Sequence, residues 1–307
     1  MIVTHVTPSY LPADMRALVW PGLLVLACLA AYIPTGMSLV DGPWQTEQEG
    51  HGPMIIAASL WLAWQARHNV AQAPTRSAPI SGWTILIAGL VLMFIARTQG
   101  VLTVEAFSLI IVISGCVLLV GGWSKLYALA FPIGFLIFAV PMPDWLIDSA
   151  TVPLKVMISD AVTRSLYATG YPVAQNGVMV MIGTYQLLVK DACSGMNSIF
   201  ALSAIGVFYA FAFRWTEKVR SFLLIAAIIP ITIVANFLRV LTLVLLAYYG
   251  GVDLIEGPLH EITGIGIFVV AVILLFLFDM TLGLMASLFV NRKRPFAGGG
   301  HPAPQSV

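Results

Sequence analysis

The sequence predicts an all-α integral membrane protein of about eight transmembrane helices with both termini inside, and three observations carry that prediction. Of 307 residues, 59% are apolar and only 9% charged, with a mean hydropathy of +0.94; ordinary soluble domains carry about 25% charge. The apolar residues gather into runs that approach the roughly 20 residues a helix needs to cross a bilayer. Lys and Arg concentrate in alternate connecting segments. A net charge of +1, from 15 basic and 14 acidic residues, leaves no basic face of the kind that binds nucleic acid by counterion release.

In chain order, apolar intervals lie near residues 17–36, 52–66, 77–96, 106–124, 126–143, 193–213, 221–249 and 262–283. The second is short for a span, and a re-entrant segment is its other reading. The first reads as a span rather than a cleaved leader, because Arg16 follows a long neutral stretch and the apolar run continues to Val40. Leu26 also suits poorly the position two before Cys28 that a lipoprotein cleavage site would need. With the N-terminus inside, cytoplasmic segments hold Arg16, Arg67, Arg76, Lys125, Arg214, Lys218, Arg220, Arg292, Lys293 and Arg294. The outer segments hold Arg97, Lys155, Arg164 and Lys190, with acidic Asp41, Glu47, Glu49, Asp253 and Glu256. Cells retain Lys and Arg on the cytoplasmic side, so the orientation reads as N-in, C-in. Residues 1–294 form one polytopic domain in this reading, and 295–307 a disordered cytoplasmic tail.

One sizeable external segment, about 142–191, lies between the fifth and sixth intervals. After Pro141-Met142-Pro143, apolar Leu146, Ala150, Leu154, Met157, Ile158, Ala161 and Val162 recur at helical spacing, with Asp148, Lys155, Asp160 and Arg164 among them. That pattern suits an amphipathic helix lying on the membrane, bent at Pro153. Gly170-Tyr171-Pro172 ends the helix. Asn176-Gly177, between Val173-Ala174 and Val178-Met179-Val180, signals a β-hairpin turn, and Gly183-Thr184 offers a second.

Three cysteines cannot build a disulfide framework, and no Cys or His pair has zinc-ligand spacing. No P-loop, dinucleotide fingerprint or internal repeat is visible, so neither metal nor cofactor is expected. Cys28 and Cys116 read as small apolar packing residues. Cys193 differs: Asp191-Ala192-Cys193-Ser194-Gly195-Met196-Asn197-Ser198 is polar where a lipid-facing helix would be apolar. At the outer start of the sixth interval, a helix N-terminus would favour its thiolate.

Arg239 lies 18 residues past the start of the seventh interval, about 27 Å of helical rise, and so near the outer surface. A guanidinium at mid-bilayer costs at least about 2.5 kcal/mol, so it requires a partner unless it snorkels to the surface. Asn236, one turn earlier, is placed to orient it or a substrate. His260, in Gly257-Pro258-Leu259-His260-Glu261, stands where the eighth interval begins from outside. It is suited to relay a proton, and its structural alternative is a helix-cap histidine. A Cys, an Arg and a His from three sequence-distant helices at one membrane depth are what nucleophilic acyl transfer requires.

Ala192-Cys193-Ser194-Gly195-x-x-Ser198, Asn236-x-x-Arg239 and His260-x-x-x-Gly264, in this order and in a multi-span context, resemble the motif triplet of the exosortase/archaeosortase family. The resemblance covers approximately residues 85–283. It implies an all-helical cysteine transpeptidase of the bacterial inner membrane, its active site facing the periplasm, with Cys193, Arg239 and His260 as the reactive set. Ser194, Ser198 and Asn236 would stand beside them. Its implied partners, besides the bilayer, are exported proteins ending in a short Pro-Glu-Pro-like motif, a transmembrane helix and a basic cluster. The family is also associated with bacterial exopolysaccharide gene clusters.

Two other classes compete: a polytopic transporter or exopolysaccharide export component, and an assembly scaffold. A transporter needs polar groups along a pathway through mid-membrane. Here the unusual groups cluster at one face, and only acyl transfer specifically requires the thiol. A scaffold predicts no effect of conservative change at Cys193.

Overall fold

The computed structural model describes residues 13–46, 49–188, 198–214, 217–251 and 258–292. The expected tail over 295–307 lies outside the described residues. The chain divides into two compact units, 1–151 and 152–307, each considered by itself.

The first unit is helical. Its elements are α1 (Ala13–Asp41), α2 (Gly52–Gln65), the short α3 (Arg67–Gln72), α4 (Pro79–Gln99), α5 (Leu102–Gly121) and α6 (Trp123–Phe135), the last continuing into a 3-10 turn, Leu136–Ala139. Pro132 lies inside α6, and the Ser59 hydroxyl of α2 donates to its carbonyl at 2.6 Å. A polar node ties α1, α4 and α5 together. Arg97 Nη2 meets Glu105 Oε1 at 2.7 Å, Thr35 Oγ1 donates to the same carboxylate at 2.7 Å, and Arg97 Nη2 donates to the Ala31 carbonyl at 2.9 Å. Beside it Tyr32 and Ser108 share a 2.6 Å hydrogen bond. Glu105 is buried, so its charge depends on these partners. Cys28 and Cys116 pack side by side, Sγ to Sγ 3.5 Å, among Tyr32, Leu86 and Val112.

The second unit comprises most of α7 (Asp144–Ala168), β1 (Val173–Asn176), β2 (Met179–Ile182), β3 (Tyr185–Leu188), α8 (Ser198–Arg214), α9 (Lys218–Gly250) and α10 (Pro258–Arg292). It has two apolar cores. Leu202 of α8, Leu224, Ile228 and Ala235 of α9, and Ala271 and Leu275 of α10 form a three-helix core. Further along α9, Val240, Leu243, Val244 and Ala247 pack with Ile158, Val162 and Leu166 of α7, Val180 and Ile182 of β2, and Leu187 of β3.

The external segment therefore departs from the sequence-based expectation in two respects. The α7 residues that pack against protein are Ile158, Val162 and Leu166, spaced by four, while Trp145, Val152 and Val156 of the same helix are exposed. Leu146 and Met157, expected on the apolar face, are exposed. The β element is a three-stranded antiparallel meander, order β1-β2-β3, with its second turn at the Gly183-Thr184 that the sequence offers. Asn176 pairs with Met179 and Ile182 with Tyr185, so the two-residue loops are Gly177-Val178 and Gly183-Thr184. In each the first loop residue is a left-handed glycine, φ 62° and 58°. A type II′ turn takes glycine there and any L-residue second, which moves the first turn one residue beyond the expected Asn176-Gly177. Register then decides the faces: Val180 and Ile182 point inward.

Each of the eight apolar intervals coincides with helix over most of its described length; residues 193–197 of the sixth lie outside the described residues. Among the described residues, five helical stretches are long and apolar enough to cross a membrane: Gly22–Gln45, Pro79–Gln99, Leu102–Gly121, Lys218–Gly250 and Phe268–Met285. Trp123–Ala139 and Phe200–Phe213 are shorter apolar helices. At 14 residues, α2 rises about 21 Å, short of the roughly 30 Å hydrocarbon thickness. Exposed Leu60, Ile80, Phe94 and Phe222 would be a liability in water and are an ordinary surface in lipid.

Candidate active site

Helix α9 carries the described part of the site. Its buried stripe runs Ala235, Asn236, Arg239, Val240, Leu243, Val244 and Ala247, a spacing of three and four that turns one face inward. Asn236 and Arg239 are 2% and 3% exposed, so Arg239 does not snorkel to a surface. Both engage neighbouring groups. They form a polar layer between the two apolar cores: Ala235 belongs to the three-helix core and Val240 to the sheet core. In so dry a setting a guanidinium interacts strongly with any developing negative charge.

An ion cluster at the opposite end of the same helices gives a common reference level. Arg220 Nε of α9 donates to Asp279 Oδ1 of α10 at 2.5 Å, and its Nη2 donates to the Asp279 carbonyl at 2.7 Å. Tyr209 of α8 donates to Asp279 Oδ2 at 2.8 Å. Nineteen residues of α9 separate Arg220 from Arg239, and nineteen residues of α10 separate Asp279 from His260. Each count corresponds to about 28 Å of rise along its own helix, away from that cluster.

The structure treats the expected site residues unequally. Asn236 and Arg239 share one buried face of α9. His260 lies in the first turn of α10 and Ser198 opens α8; their side chains lie outside the described residues. Cys193 and Ser194 lie outside them altogether. The described chain bounding the 189–197 segment ends in β3, whose Leu187 is in the sheet core, and resumes at α8, whose Leu202 is in the three-helix core. The polar layer of Asn236 and Arg239 stands between those two cores.

Three features are missed by sequence reasoning. Asp279 sits inside the apolar interval 262–283; a lone acid in such a run demands a partner, and that signal is present in the sequence. Glu105, just outside the fourth interval, binds Arg97, which the charge pattern places only as an outer loop cation. Lys155, read only as one of the charges distributed along the amphipathic helix, is 7% exposed on α7.

Fold and site together define a membrane-embedded helical protein with a buried arginine layer at one end of a three-helix bundle. Over residues 44–277 the chain matches the family described as transmembrane exosortase. The match covers well over half the chain and includes Cys193, Asn236, Arg239 and His260: the protein belongs to the transmembrane exosortase family. No curated protein and no solved structure matches it.

Proposed function

We propose that this protein is a cysteine transpeptidase that cleaves C-terminal sorting tails from exported proteins at the external face of the bacterial inner membrane. The observation that carries this reading is the burial of Arg239 beside Asn236 on one face of α9, within a protein of the exosortase family.

The chemistry follows from the residue types. His260 takes the Cys193 proton, and the thiolate attacks the scissile carbonyl carbon. Arg239 holds the resulting oxyanion with its planar fork, while Asn236 orients that fork. As the C–N bond breaks, His260 returns the proton to the leaving amine of the tail and the mature protein stays on Cys193 as a thioester. An amine or water then attacks the thioester and frees the thiol. Ser194 and Ser198 flank the nucleophile and are assigned to substrate contacts. Substrates are exported proteins whose tail combines a short motif, a membrane helix and a basic cluster.

Expression with such a tailed protein tests the reading. Cys193→Ala should accumulate the uncleaved form, whereas Cys28→Ala and Cys116→Ala, which alter an apolar contact in the first unit, should process normally. Normal processing by Cys193→Ala would remove the enzyme assignment.

The orientation belongs to the same proposal: eight membrane segments, both ends cytoplasmic. Tyr171 meets Tyr248 edge-on at 5.4 Å and bonds the Tyr249 hydroxyl at 2.7 Å, clustering tyrosines at the end of α9 assigned to the outer interface. Reporters fused after Arg76, Arg220 and Arg294 should read cytoplasmic, and one near Gln175 external. An external Arg220 would place the Arg239 layer on the wrong side for exported substrates.

A further inference from the structure

The first unit carries a pair of reactive groups that the candidate site does not use. The chain has three cysteines, and the two in this unit, 88 positions apart, meet sulfur to sulfur at 3.5 Å. Their contact belongs to a seam. Thr35 meets Glu105 at 2.7 Å, Tyr32 meets Ser108 at 2.6 Å and Cys28 meets Cys116, so positions descend along α1 as they ascend along α5. Two short hydrogen bonds, one and two turns along α1 from Cys28, therefore fix how the helices approach. On its other side α5 rests so closely on α4 that a Cβ at Gly115 would lie 2.7 Å from the Leu86 backbone nitrogen. Held from both sides, α5 keeps the two sulfurs opposed.

From there a covalent bond is a short step. A disulfide places its sulfurs about 2.05 Å apart, which leaves about 1.5 Å to close by side-chain rotation and a small helix shift. The surroundings decide which oxidant can drive it. No charged residue lies between Arg16 and Asp41 around Cys28, or between Glu105 and Lys125 around Cys116. Cys116 is buried among Tyr32, Leu86 and Val112, and Cys28 is half-buried on a helix that exposes Leu23 and Leu26. Glutathione, which keeps cytosolic thiols reduced, is too polar for such a hydrocarbon layer, whereas a lipid-soluble quinone dissolves in it.

We propose that Cys28 and Cys116 are a modification site: they form an intramembrane disulfide, made by a lipid-soluble quinone that arrives from the bilayer on the Cys28 side. The two S–H bonds break and one S–S bond forms, while the two protons and two electrons reduce the quinone to its quinol. The bond closes a loop containing α2, α3 and α4, and it staples α1 to α5 independently of the Arg97–Glu105 pair. Neither sulfur takes part in the acyl transfer assigned to Cys193, so this inference stands apart from the transpeptidase reading and is tested without a tailed substrate.

The test uses the full-length Cys193→Ala variant in lipid nanodiscs, in which Cys28 and Cys116 are the remaining thiols. A short-tailed benzoquinone is added to the reduced protein, which is then unfolded, alkylated and analysed by mass. The expected product is a monomer that has lost two hydrogens, takes up no alkylating label and yields a peptide joining Cys28 to Cys116. Two fully labelled cysteines overturn the proposal. Cys28→Ser and Cys116→Ser, each combined with Cys193→Ala, leave a single thiol that should keep its full label; loss of label there would mean addition of the quinone to a thiol, and would overturn the disulfide. Oxidised glutathione at equal concentration should form the bond at least about tenfold more slowly, and equal rates would overturn the assignment to a lipid-soluble oxidant. Thermal unfolding reads the staple: the midpoint should rise on oxidation, and an unchanged or lower midpoint removes that role. In the wild-type protein the same joined peptide is expected, and a bond from Cys193 to either sulfur in its place overturns the pairing.

Discussion

Arg239→Lys is expected to insert and fold like the wild type yet lose tail processing by about a hundredfold or more, close to the loss in Arg239→Ala. Both residues carry the positive charge, so a general attraction for anions would survive the change. A planar guanidinium offers two parallel N–H groups to a carbonyl oxygen turning into an oxyanion, and an ammonium on a flexible stem does not reproduce that fork. Removing a donor of this kind typically costs two to three orders of magnitude in rate. Arg239 is 3% exposed, so water cannot take over the donor's place. The measurement is processing of a tailed substrate at equal membrane abundance of each variant. Near-full activity with lysine would reduce Arg239 to a source of positive field or a structural anchor, and its assignment to the oxyanion would be withdrawn.

Asp279→Leu is expected to destabilise the α8–α9–α10 bundle by about 3 kcal/mol, the low end of the cost of breaking a buried ion pair, because Arg220 keeps the half-exposed Glu217 at 3.2 Å as a counter-ion. The side chains of Asp279 and Arg220 are 4% and 15% exposed, and Asp279 accepts from Tyr209 as well, so three helices lose a shared contact at once. Leucine at 279 with methionine at 220 should recover most of the loss, because replacing both members of a buried pair by apolar groups is often neutral. Thermal unfolding in detergent distinguishes the cases: a mild single-variant effect, or a double variant no better than the single, would mean that the cluster does not hold the bundle. Tail processing should follow stability here, since the cluster lies about 28 Å of helical rise from Arg239.

The candidate site is legible in proportion to how much of its chemistry is out of place in an apolar run. Arg239 and Asn236 stand out because a guanidinium and an amide are costly there, and α9 buries both. Asp279 carries the same signal, but a single acid inside an otherwise apolar interval is easily absorbed into a span. Glu105 is illegible for a different reason. It starts a helix, where an acid is common, and only the approach of α1 and α4 makes it a buried ion-pair partner.

The meander shows where local pattern runs out. Gly177 and Gly183 mark turns in sequence, because only glycine adopts positive φ without strain. The turn type depends on which residues pair, and an Asn-Gly dipeptide permits a different register from the one adopted. Packing chose between them, since Val180 and Ile182 must meet Ile158 and Val162 on α7 and Val240 and Val244 on α9.

By itself, the sequence determined that this is a helical membrane protein and where its helices lie, because hydropathy and helical rise are properties of single segments read against a bilayer of fixed thickness. It also singled out Arg239 and Asn236, because a buried polar group is costly whatever surrounds it. Which helix faces bury them, that Ile158, Val162 and Leu166 of α7 dock on the sheet and α9, and that Arg220, Tyr209 and Asp279 share one cluster were decided only by the tertiary structure. Those outcomes depend on contacts between residues up to 70 positions apart, and no pattern within one segment encodes which distant surface it will meet.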